Sequence, residues 1–259
     1  MKIYIMTDME GISGIYSDEQ TRPGSPAYAE GRKLLAADVN AAIEGALAGG
    51  ATEIVVNDGH GGSPHMLWED MHPAAKYERP QGVDNWLPGM DSTFSGAFLI
   101  GGHAMAGTQG AFLDHTQSGI WFNYYVNGQP CGEIAQMAAG AGHYGVPLLL
   151  VTGDDKACQE TQRYFPGAET VQVKEGICRK IARCIHPDKA HELIRQAAER
   201  AMKKIGKVQP WVVKPPIEVV LEVTSTEIAD GLEGHPGVER LGPRKLRKIA
   251  RDALDIIAF

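Results

Sequence analysis

The first residues of the chain place a short apolar segment directly before two carboxylates. Residues 3–6 form the apolar segment, Asp8 and Glu10 follow it, and Gly11 comes directly after the second acid. In an extended chain successive side chains alternate between two faces, so the two acids point the same way. Two carboxylates about 4 Å apart repel by about 4 kcal/mol at an effective dielectric of about 20, and a proton or a cation between them relieves this repulsion. We interpret the pair as part of a metal site whose other ligands come from elsewhere in the chain.

Segments that are typical of strands and helices alternate along the first part of the chain. Tyr28–Ala48 has apolar residues at helical spacing and is predicted to form a helix. Predicted strands precede this helix at the N-terminus and follow it over Glu53–Asn57, and such a strand–helix–strand unit is typical of a mostly parallel sheet. We therefore predict an α/β fold, in which a mostly parallel sheet is flanked by helices, with a smaller C-terminal α/β portion.

The later segments continue this alternation with less regular spacing. Strands are predicted over Ala97–Ile100, Ile120–Val126, Val146–Val151, Thr170–Val173 and Glu218–Val223. Helices are predicted over Met66–Met71, Cys131–Tyr144, Asp154–Tyr164, Pro187–Ile205 and, as a basic amphipathic helix, Pro243–Ile257. Because the chain becomes more charged near Lys174, we predict a metal-binding catalytic portion over 1–173. The C-terminal portion over 174–259 is either separate or part of the same domain.

The composition argues against several classes of function. The net charge is -7 at pH 7, which disfavours nucleic acid or an anionic membrane as the main partner. No apolar run reaches the roughly 18 residues of a membrane-spanning helix, and the N-terminal apolar segment is too short for a signal peptide. The four cysteines form neither a CxxC pair nor a zinc-finger spacing, so we expect buried or idle thiols. A cytoplasmic protein is the expectation.

Four potential metal ligands follow predicted strands, and a fifth lies near the start of a predicted helix. Asp8 and Glu10 follow the first strand, His60 the second and His103 the third, while Glu133 begins the helix. Open α/β sheets place their sites at the carboxyl ends of the strands. Imidazole and carboxylate ligands without a thiolate suit zinc or another borderline divalent ion. Five ligands are more than a single ion usually needs. We therefore predict two metal ions that share one of the carboxylates.

Each of these residues also has a simpler interpretation. A single histidine after a strand is often a hydrogen-bonded loop residue, and Glu133 alone fits an acid in the first turn of a helix. Asp58 either orients His60 as a hydrogen-bond acceptor or is a turn residue. The histidines that do not follow a strand are interpreted as surface or packing residues, and they are His65, His72, His143, His186, His191 and His235.

His115 lies in a polar, glycine-rich segment beyond the last predicted strand ligand. Its neighbour Asp114 is placed to tune the pKa of the imidazole. We predict that His115 is the general acid/base or the nucleophile that acts beside the metal ions. The alternative is a loop imidazole without a catalytic role.

The motifs that contain these residues resemble those of a known family. They are Asp8-Met9-Glu10-Gly11-Ile12-Ser13-Gly14, Asn57-Asp58-Gly59-His60, Gly102-His103-Ala104, His115 and Gly132-Glu133-Ile134. Together they resemble the bacterial zinc-dependent D-aminopeptidases typified by the enzyme of a dipeptide-transport operon. The similarity extends over nearly the whole chain, and includes Gly153-Asp154-Asp155 and residues 236–240.

The resemblance implies a self-compartmentalising aminopeptidase that acts on short peptides with N-terminal D-amino acids, such as D-alanyl peptides. It also implies a homodecamer of two stacked pentameric rings whose sites face an internal chamber. By the same resemblance Asp8 bridges two zinc ions. Glu10 and His103 complete the protein ligands of one ion, and His60 and Glu133 complete those of the other. His115 matches the catalytic histidine of the family. The chain has Asp114-His115-Thr116 where the family has a Ser-His-Ser run, with one extra residue between His103 and His115. These departures concern the substrate and the catalytic efficiency more than metal binding.

Two other functions fit parts of the sequence. A magnesium-dependent phosphatase of the haloacid-dehalogenase type also begins with a strand that ends in paired acids, and Gly153-Asp154-Asp155 suits its last motif. In such a phosphatase the histidines of this chain would have no role, because magnesium prefers oxygen ligands. The other alternative is a non-catalytic, ring-forming module that holds metal ions for structure.

Overall fold

The computed structural model describes residues 1–62, 64–79, 86–257 and 259. The strands in these residues are β1 (Lys2–Thr7), β2 (Glu53–Asp58), β3 (Lys76–Glu78), β4 (Gly96–Gly102), β5 (Trp121–Val126), β6 (Gln129–Pro130), β7 (Leu148–Asp154), β8 (Glu169–Cys178), β9 (Ile181–Cys184), β10 (Ile217–Val223), β11 (Glu239–Gly242) and β12 (Lys245–Ala250). The α-helices are α1 (Tyr28–Ala48), α2 (Glu133–His143), α3 (Asp155–Tyr164), α4 (Pro187–Met202) and α5 (Thr226–Glu233). Short 3-10 helices cover Asp18–Thr21, Trp68–Asp70 and Asp255–Ile257.

The larger of two sheets has seven strands in the order β3-β2-β1-β4-β7-β8-β9. Its neighbouring strands are parallel except for β8 and β9, which form an antiparallel hairpin. The predicted strand–helix–strand unit is confirmed: β1 and β2 pair in parallel, and the helix between them has the predicted bounds Tyr28–Ala48. The predicted α/β class with a mostly parallel sheet is therefore confirmed.

Helices cover both faces of this sheet, which is why its central strands are apolar on both sides. Along β1 the side chains of Ile3 and Ile5 enter the core shared with α1 and α4. The alternate residues Tyr4 and Met6 enter the core shared with α2 and α3. This period of two with burial on both faces is the pattern expected of parallel sheets. Gly45 lets α1 approach α4 closely, since a Cβ there would lie 2.1 Å from the carbonyl oxygen of Arg195.

The smaller sheet has five strands in the order β11-β12-β10-β5-β6, and all its pairs are antiparallel. Its strands come from two separate parts of the chain, since β5 and β6 precede α2 and the others follow α4. Helix α2 lies between the two sheets. Its residues Ile134 and Met137 belong to the core of the larger sheet, whereas Ala135 and Ala139 belong to the core of the smaller one.

The prediction of a basic helix over Pro243–Ile257 is wrong. This segment contains the strand β12 and the 3-10 helix Asp255–Ile257. Within β12 the side chains of Leu246 and Ala250 are buried, and between them Lys248 also lies on the inner face, where its ammonium donates to the carbonyl of Asp255 at 2.8 Å. A lysine on the inner face hides the strand alternation, and the remaining apolar residues happen to have helical spacing.

Other differences concern the ends of elements and the division of the chain. The predicted helix Met66–Met71 is reduced to the 3-10 helix Trp68–Asp70, and α5 forms where no helix was predicted. Strand β8 runs across residue 174, so each sheet contains strands from both sides of the predicted division. The functional division at that residue stays a prediction. None of the helices in the described part of the chain is long and apolar enough to cross a membrane.

Candidate metal centre

The predicted ligands meet at the carboxyl ends of three adjacent strands. β1 lies between β2 and β4, so the residues that follow these strands are neighbours in space although they are far apart in sequence. Glu133 reaches the same place as the first residue of α2. The structure therefore brings together all five predicted ligands, Asp8, Glu10, His60, His103 and Glu133, and places His115 beside them.

Close packing of backbone brings the loop after β1 onto the end of β4. The Asp8 N–H donates to the carbonyl of Ile100 at 2.9 Å, and the Gly11 N–H donates to that of Gly101 at 2.7 Å. Gly101 has φ +86°, and a Cβ there would lie 2.2 Å from the Asp8 carbonyl oxygen. Only glycine fits such a contact. The close approach is what places Asp8 beside His103.

Asp8 lies between the two strand-end histidines. Its Oδ1 is 2.8 Å from His60 Nδ1 and its Oδ2 is 3.3 Å from His103 Nε2. The side chain of Glu10 lies on the His60 side, with Oε2 3.1 Å from His60 Nδ1, while Glu133 lies on the His103 side, with Oε1 3.3 Å from His103 Nε2. Asp8 thus contacts both halves of the cluster, which fits a shared carboxylate.

Hydrogen bonds from the backbone orient the ligands. His103 Nδ1 lies 3.0 Å from the carbonyl of Ala104, which can accept only from an N–H, so Nδ1 is protonated and Nε2 faces the carboxylates. The Met9 N–H donates to Asp8 Oδ1 at 2.8 Å, and the Gln117 N–H donates to Glu133 Oε1 at 2.7 Å. Contacts of this kind fix the direction in which a ligand offers its lone pair.

The buried polar atoms of the cluster fit a metal ion. Glu10 Oε2 and His103 Nε2 are buried, and although charged groups lie within 3.3 Å of each, none of these contacts in the described residues has the geometry of a hydrogen bond. A buried polar atom without a partner is costly, and a cation would satisfy both. The donor atoms of Asp8, Glu10 and His103 all lie within 4.8 Å of one another. Three carboxylates and two imidazoles, with no thiolate, are ligands that suit zinc.

The electrostatics of the cluster show how strongly its groups interact. Burial, together with the charge of Glu10, raises the pKa of Asp8 to about 6. Burial acts against the charged forms of His60 and His103 as well, but the adjacent carboxylates hold the pKa of both imidazoles well above the usual value. The same imidazoles outweigh burial at Glu10, whose pKa lies well below its usual range. Negative charge at this edge of the sheet is therefore stabilised only beside a cation.

His115 is stacked on His103, with ring centroids 4.0 Å apart and an interplanar angle of 11°. Its Nδ1 lies 2.8 Å from the carbonyl of Leu113, and its Nε2 lies 3.7 Å from Glu133 Oε1. Leu113 and Gln117, two residues away on either side, have left-handed φ values of 49° and 59°. Such conformations cost about 1–3 kcal/mol each for residues other than glycine and are concentrated at functional sites.

The carboxylate of Asp114 makes its hydrogen bonds to other groups than the imidazole of His115. One of its carboxylate oxygens accepts a hydrogen bond from the Gly107 N–H at 2.8 Å, and the other lies 2.8 Å from Arg179 Nη1. Asp114 therefore fastens the His115 loop to the turn between β8 and β9. Asp58 has a comparable structural role, because its Oδ2 accepts a hydrogen bond from the His65 N–H at 2.7 Å.

Sequence reasoning missed two buried side chains that contact the cluster residues or their loops. His65 is buried with its ring edge against His60, at a centroid distance of 4.8 Å, and its Nδ1 is 2.6 Å from the Tyr28 hydroxyl. Lys174 is also buried, and its Nζ donates to the carbonyls of Glu10 and Ile15, both at 2.7 Å. Burial lowers the pKa of Lys174 to about 8. Neither residue has a signal in sequence, since each follows no strand end and belongs to no motif.

A cavity of about 350 Å³ opens onto the cluster. The cluster residues that line it are Asp8, His60, His115 and Glu133. Its other described walls are formed by Asp58, Gly59, Gly61, Gly62, Arg79, Trp86, Gln117 and Ile257. Cavities that bind small molecules have volumes of about 300–1,000 Å³, so this one suits a ligand of a few residues.

The residues that suggested a phosphatase have structural roles instead. Asp154 accepts hydrogen bonds from the N–H groups of Ala157 and Phe112, at 2.7 and 2.9 Å, and so caps α3. Asp155 accepts a hydrogen bond from the Gly176 N–H at 2.9 Å. Neither carboxylate belongs to the groups of ligand-type side chains around Asp8. The second pair of acids that a haloacid-dehalogenase-type phosphatase needs is therefore not at this centre.

Comparisons with known proteins agree with this geometry. A sequence model of the family described as D-aminopeptidase matches residues 1–259. The D-aminopeptidase of Bacillus subtilis (strain 168) is 34% identical over 262 residues, which covers 98% of this chain and 93% of that protein. A solved structure, described as the Zn-dependent D-aminopeptidase DppA from Bacillus subtilis, a self-compartmentalizing protease, superposes with a TM-score of 0.95 at 32% identity. That match covers 99% of this chain and 94% of the other.

Proposed function

Because this chain belongs to the D-aminopeptidase family, we propose that it is a zinc-dependent aminopeptidase. Its reaction is hydrolysis of the N-terminal peptide bond of short peptides, with a preference for D-amino acids such as D-alanine at the N-terminus. The observation that carries this proposal is the buried cluster around Asp8, with His115 stacked on His103 at the floor of a cavity. The name and zinc dependence of the relatives support the reaction and the metal.

We assign the five ligands to two zinc ions. Asp8 is shared, Glu10 and His103 hold one ion, and His60 and Glu133 hold the other. The compact group of Asp8, Glu10 and His103 supports the first ion. The contact of His60 with Asp8 at 2.8 Å supports a second, and Glu133 is assigned to it from the resemblance to the family, since the Glu133 carboxylate lies beside His103. When bound, the metal would supply Lewis acidity, which polarises the scissile carbonyl and lowers the pKa of a water molecule to about 7.

His115 moves the proton in this proposal. Its Nδ1–H donates to the Leu113 carbonyl, so its Nε2 carries the free lone pair on the side of Glu133. Nε2 takes a proton from the attacking water and passes it to the leaving amine, which is general base and then general acid catalysis. Direct attack of Nε2 on the scissile carbonyl is the alternative, and it uses the same lone pair.

Metal analysis together with two matched dipeptides tests the function. We expect about two zinc ions per chain, cleavage of D-alanyl-D-alanine, and slower cleavage of L-alanyl-L-alanine. Removal of zinc by a chelator should abolish turnover, and added zinc should restore it. A fully loaded protein that cleaves no member of a panel of D- and L-dipeptides and amino-acid amides would instead support the non-catalytic, ring-forming module.

We also propose an oligomeric assembly, with a homodecamer of two pentameric rings as its form. The description of the related DppA structure as self-compartmentalizing supports an assembly. Large apolar side chains on the surface of the single chain support it as well: Trp68 is 78% exposed and Val212 is 59% exposed. Analytical ultracentrifugation should give a mass of about ten times the 27.9 kDa chain. A sedimenting species of one or two chains would contradict the assembly.

The state of the cysteines supports a location in the cytoplasm. All four are free thiols, and Cys131 and Cys158 are buried. Disulfides are rare in reducing compartments, where free thiols persist. We propose cytoplasmic location on this basis, and cell fractionation with a compartment marker tests it.

A further inference from the structure

The proposed reaction does not use His65, yet the imidazole of this residue is fully buried beside the metal cluster. Both of its ring nitrogens have partners: Nε2 lies 3.2 Å from the carbonyl of His60, and Nδ1 lies 2.6 Å from the hydroxyl of Tyr28. A carbonyl oxygen only accepts hydrogen bonds, so Nε2 donates to His60 and Nδ1 accepts from the Tyr28 hydroxyl. His65 is therefore held in one orientation, and one of its partners is the main chain of a proposed metal ligand.

The first turns of α1 hold the segment that contains His65. Tyr28 and Arg32 lie four residues apart in this helix, and therefore on the same face of it. Besides the hydroxyl contact of Tyr28, Arg32 Nε donates to the carbonyl of His65 at 2.8 Å, and its Nη2 donates to that of Met66 at 3.3 Å. Helix α1 is packed in the core of the larger sheet. The position of His65 is thus set by a helix that is itself fixed on the sheet.

His60 depends on such support because it lies in the loop after β2, two residues beyond the end of the strand. The carbonyl of Thr21 lies 3.2 Å from its Nε2, so that Nδ1 faces Asp8 at 2.8 Å. That contact sets the rotation of the ring, but it does not set the position of the main chain. The hydrogen bond from His65 fixes the His60 carbonyl, and the two rings lie edge to face with centroids 4.8 Å apart. One side chain therefore constrains both the main chain and the ring of His60.

We propose that His65 and Tyr28 position His60 for its metal ion, and so set the affinity of one of the two proposed ions but not that of the other. This inference rests on the proposed function, since it takes His60 as a zinc ligand. His65 is a positioning residue, because it acts through His60. Hydrogen-bond partners that orient metal ligands typically change metal affinity by about 10- to 100-fold. The ion assigned to Glu10 and His103 lies at the ends of β1 and β4, so its affinity should not depend on this pair.

Zinc titrations of the folded protein against a chromophoric chelator test the proposal. His65→Phe keeps a buried aromatic ring but removes both hydrogen bonds, so it should lower the affinity of one ion by about 10- to 100-fold and leave the other at the wild-type value. Tyr28→Phe removes only the hydroxyl and should lower the same affinity by about two- to tenfold, as expected for one hydrogen bond. His65→Gln should restore part of the affinity, because an amide N–H can replace the Nε2 donor. If His65→Phe does not fold, Tyr28→Phe and His65→Gln still decide the question.

A double variant identifies the ion that is weakened. His60→Ala should remove the ion that His60 holds, and the addition of His65→Phe should not lower the affinity of the remaining ion. The matched control is Tyr77→Phe, which removes a hydroxyl that donates to the carbonyl of His72 at 2.6 Å, and it should keep both affinities. Equal losses at both ions in His65→Phe overturn the proposal. So do wild-type affinities in His65→Phe and Tyr28→Phe.

Failure of the proposed function gives a different result. Zinc affinity does not depend on turnover, so a protein that cleaves no peptide loses the aminopeptidase assignment while the titrations stay decisive. If the wild type binds no zinc, crystal structures of the metal-free wild type and of metal-free His65→Phe test the positioning role. His60 Nδ1 should keep its 2.8 Å contact with Asp8 Oδ1 in the wild type and lose it in the variant. A variant in which His60 keeps this contact overturns the proposal.

Discussion

The two sheets of the molecule differ in how they contribute to the centre. The larger, parallel sheet supplies four of the five proposed ligands from the ends of adjacent strands, as Asp8, Glu10, His60 and His103. The smaller, antiparallel sheet supplies none of them. It packs on the outer side of α2, whose first residue is Glu133, and its strand β5 directly follows the His115 loop. The first sheet thus provides four of the proposed metal ligands, and the second holds the helix and loop that carry Glu133 and His115.

This difference follows from the geometry of the two architectures. The carboxyl ends of parallel strands all lie at the same end of the sheet, so the residues that follow neighbouring strands are close together in space. An antiparallel sheet has chain ends at both edges and offers no such convergence, but it can bury one face and leave the other to solvent. The divided origin of the smaller sheet ties β5 to β10 through an antiparallel pair, which anchors the chain between His115 and Glu133.

Among the variants that separate the roles of the two sheets, His115→Ala is expected to have the largest effect on activity. His115 belongs to the loop before β5 and is proposed to move a proton rather than to hold zinc. Activity should fall about 10²–10⁴-fold, the range for loss of a general acid/base, while the zinc content stays at the wild-type level. The measurement is kcat on D-alanyl-D-alanine beside metal analysis of the same sample. Unchanged turnover would remove His115 from the mechanism, and loss of zinc would make it a ligand.

The next largest effect is expected from a cavity in the smaller sheet. Leu221 in β10 is fully buried between Tyr124 of β5 and Leu246 of β12. Leu221→Ala should lower the free energy of unfolding by about 2–5 kcal/mol. Because α2 is shared by both cores, we expect one thermal transition at a lower temperature, with zinc content retained below it. Two separate transitions in calorimetry would mean that the smaller sheet unfolds independently of the metal-binding sheet.

The sequence was informative for the larger sheet and much less so for the smaller one. Buried parallel strands are continuous apolar runs, so β1, β2, β4 and β7 were recognisable, and the residues after the first three gave four of the five predicted ligands. Strand β12 was not recognisable, because Lys248 occupies an inward position and reaches the Asp255 carbonyl from there. The aliphatic stem of a lysine can cover apolar surface while its charge finds an acceptor. A pattern of residue types does not report such a contact.

The supports of the site were invisible for a related reason. The ammonium of Lys174 donates to the carbonyls of Glu10 and Ile15, and the main-chain N–H of Gln117 donates to the carboxylate of Glu133. In both cases a backbone atom contacts a group that is distant in sequence. Only the fold brings those atoms together. The pattern that suggested a role for Asp114 was similarly incomplete, since adjacency in sequence to His115 does not imply contact.

Removal of the buried ammonium at Lys174 is a smaller perturbation that acts on the larger sheet alone. Lys174→Met keeps most of the side-chain volume but leaves the carbonyls of Glu10 and Ile15 without their donor. We expect about a tenfold loss of zinc affinity, equivalent to about 1.4 kcal/mol, because the Glu10 loop is no longer fixed. Competition with a chromophoric chelator measures this affinity on the folded protein.

The matched control for Lys174→Met is Val173→Ala, which perturbs the same strand at a fully buried position whose apolar side chain donates no hydrogen bond to the loop. It should lower stability without lowering zinc affinity. Lys174→Arg should restore part of the affinity, since a guanidinium can still donate to carbonyls. Equal zinc affinities in Lys174→Met and Val173→Ala would contradict a specific role for the ammonium.

The smallest expected effect concerns a pH-dependent contact on the helical side of the larger sheet. His191 Nε2 in α4 lies 3.3 Å from Oδ1 of the buried Asp38 in α1, which also accepts hydrogen bonds from the N–H and hydroxyl of Ser13 at 2.8 and 2.6 Å. Its interaction with Asp38 raises the pKa of His191. A raised folded-state pKa adds stability below the unfolded value of about 6.5, and this stability is lost as the pH rises through the folded-state pKa.

His191→Gln should therefore destabilise the protein at pH 5.5 and have little effect at pH 8.5. The difference should stay below about 1 kcal/mol, because the imidazole is partly exposed and solvent screens the pair. Arg240→Gln is the comparison in the smaller sheet, where the guanidinium pairs with Asp230 and Glu233 and keeps its charge at both pH values. Denaturant unfolding of both variants at the two pH values measures the contrast. An equal pH dependence in the two variants would mean that the contact between α1 and α4 is not the titrating element, and that the two sheets respond to pH alike.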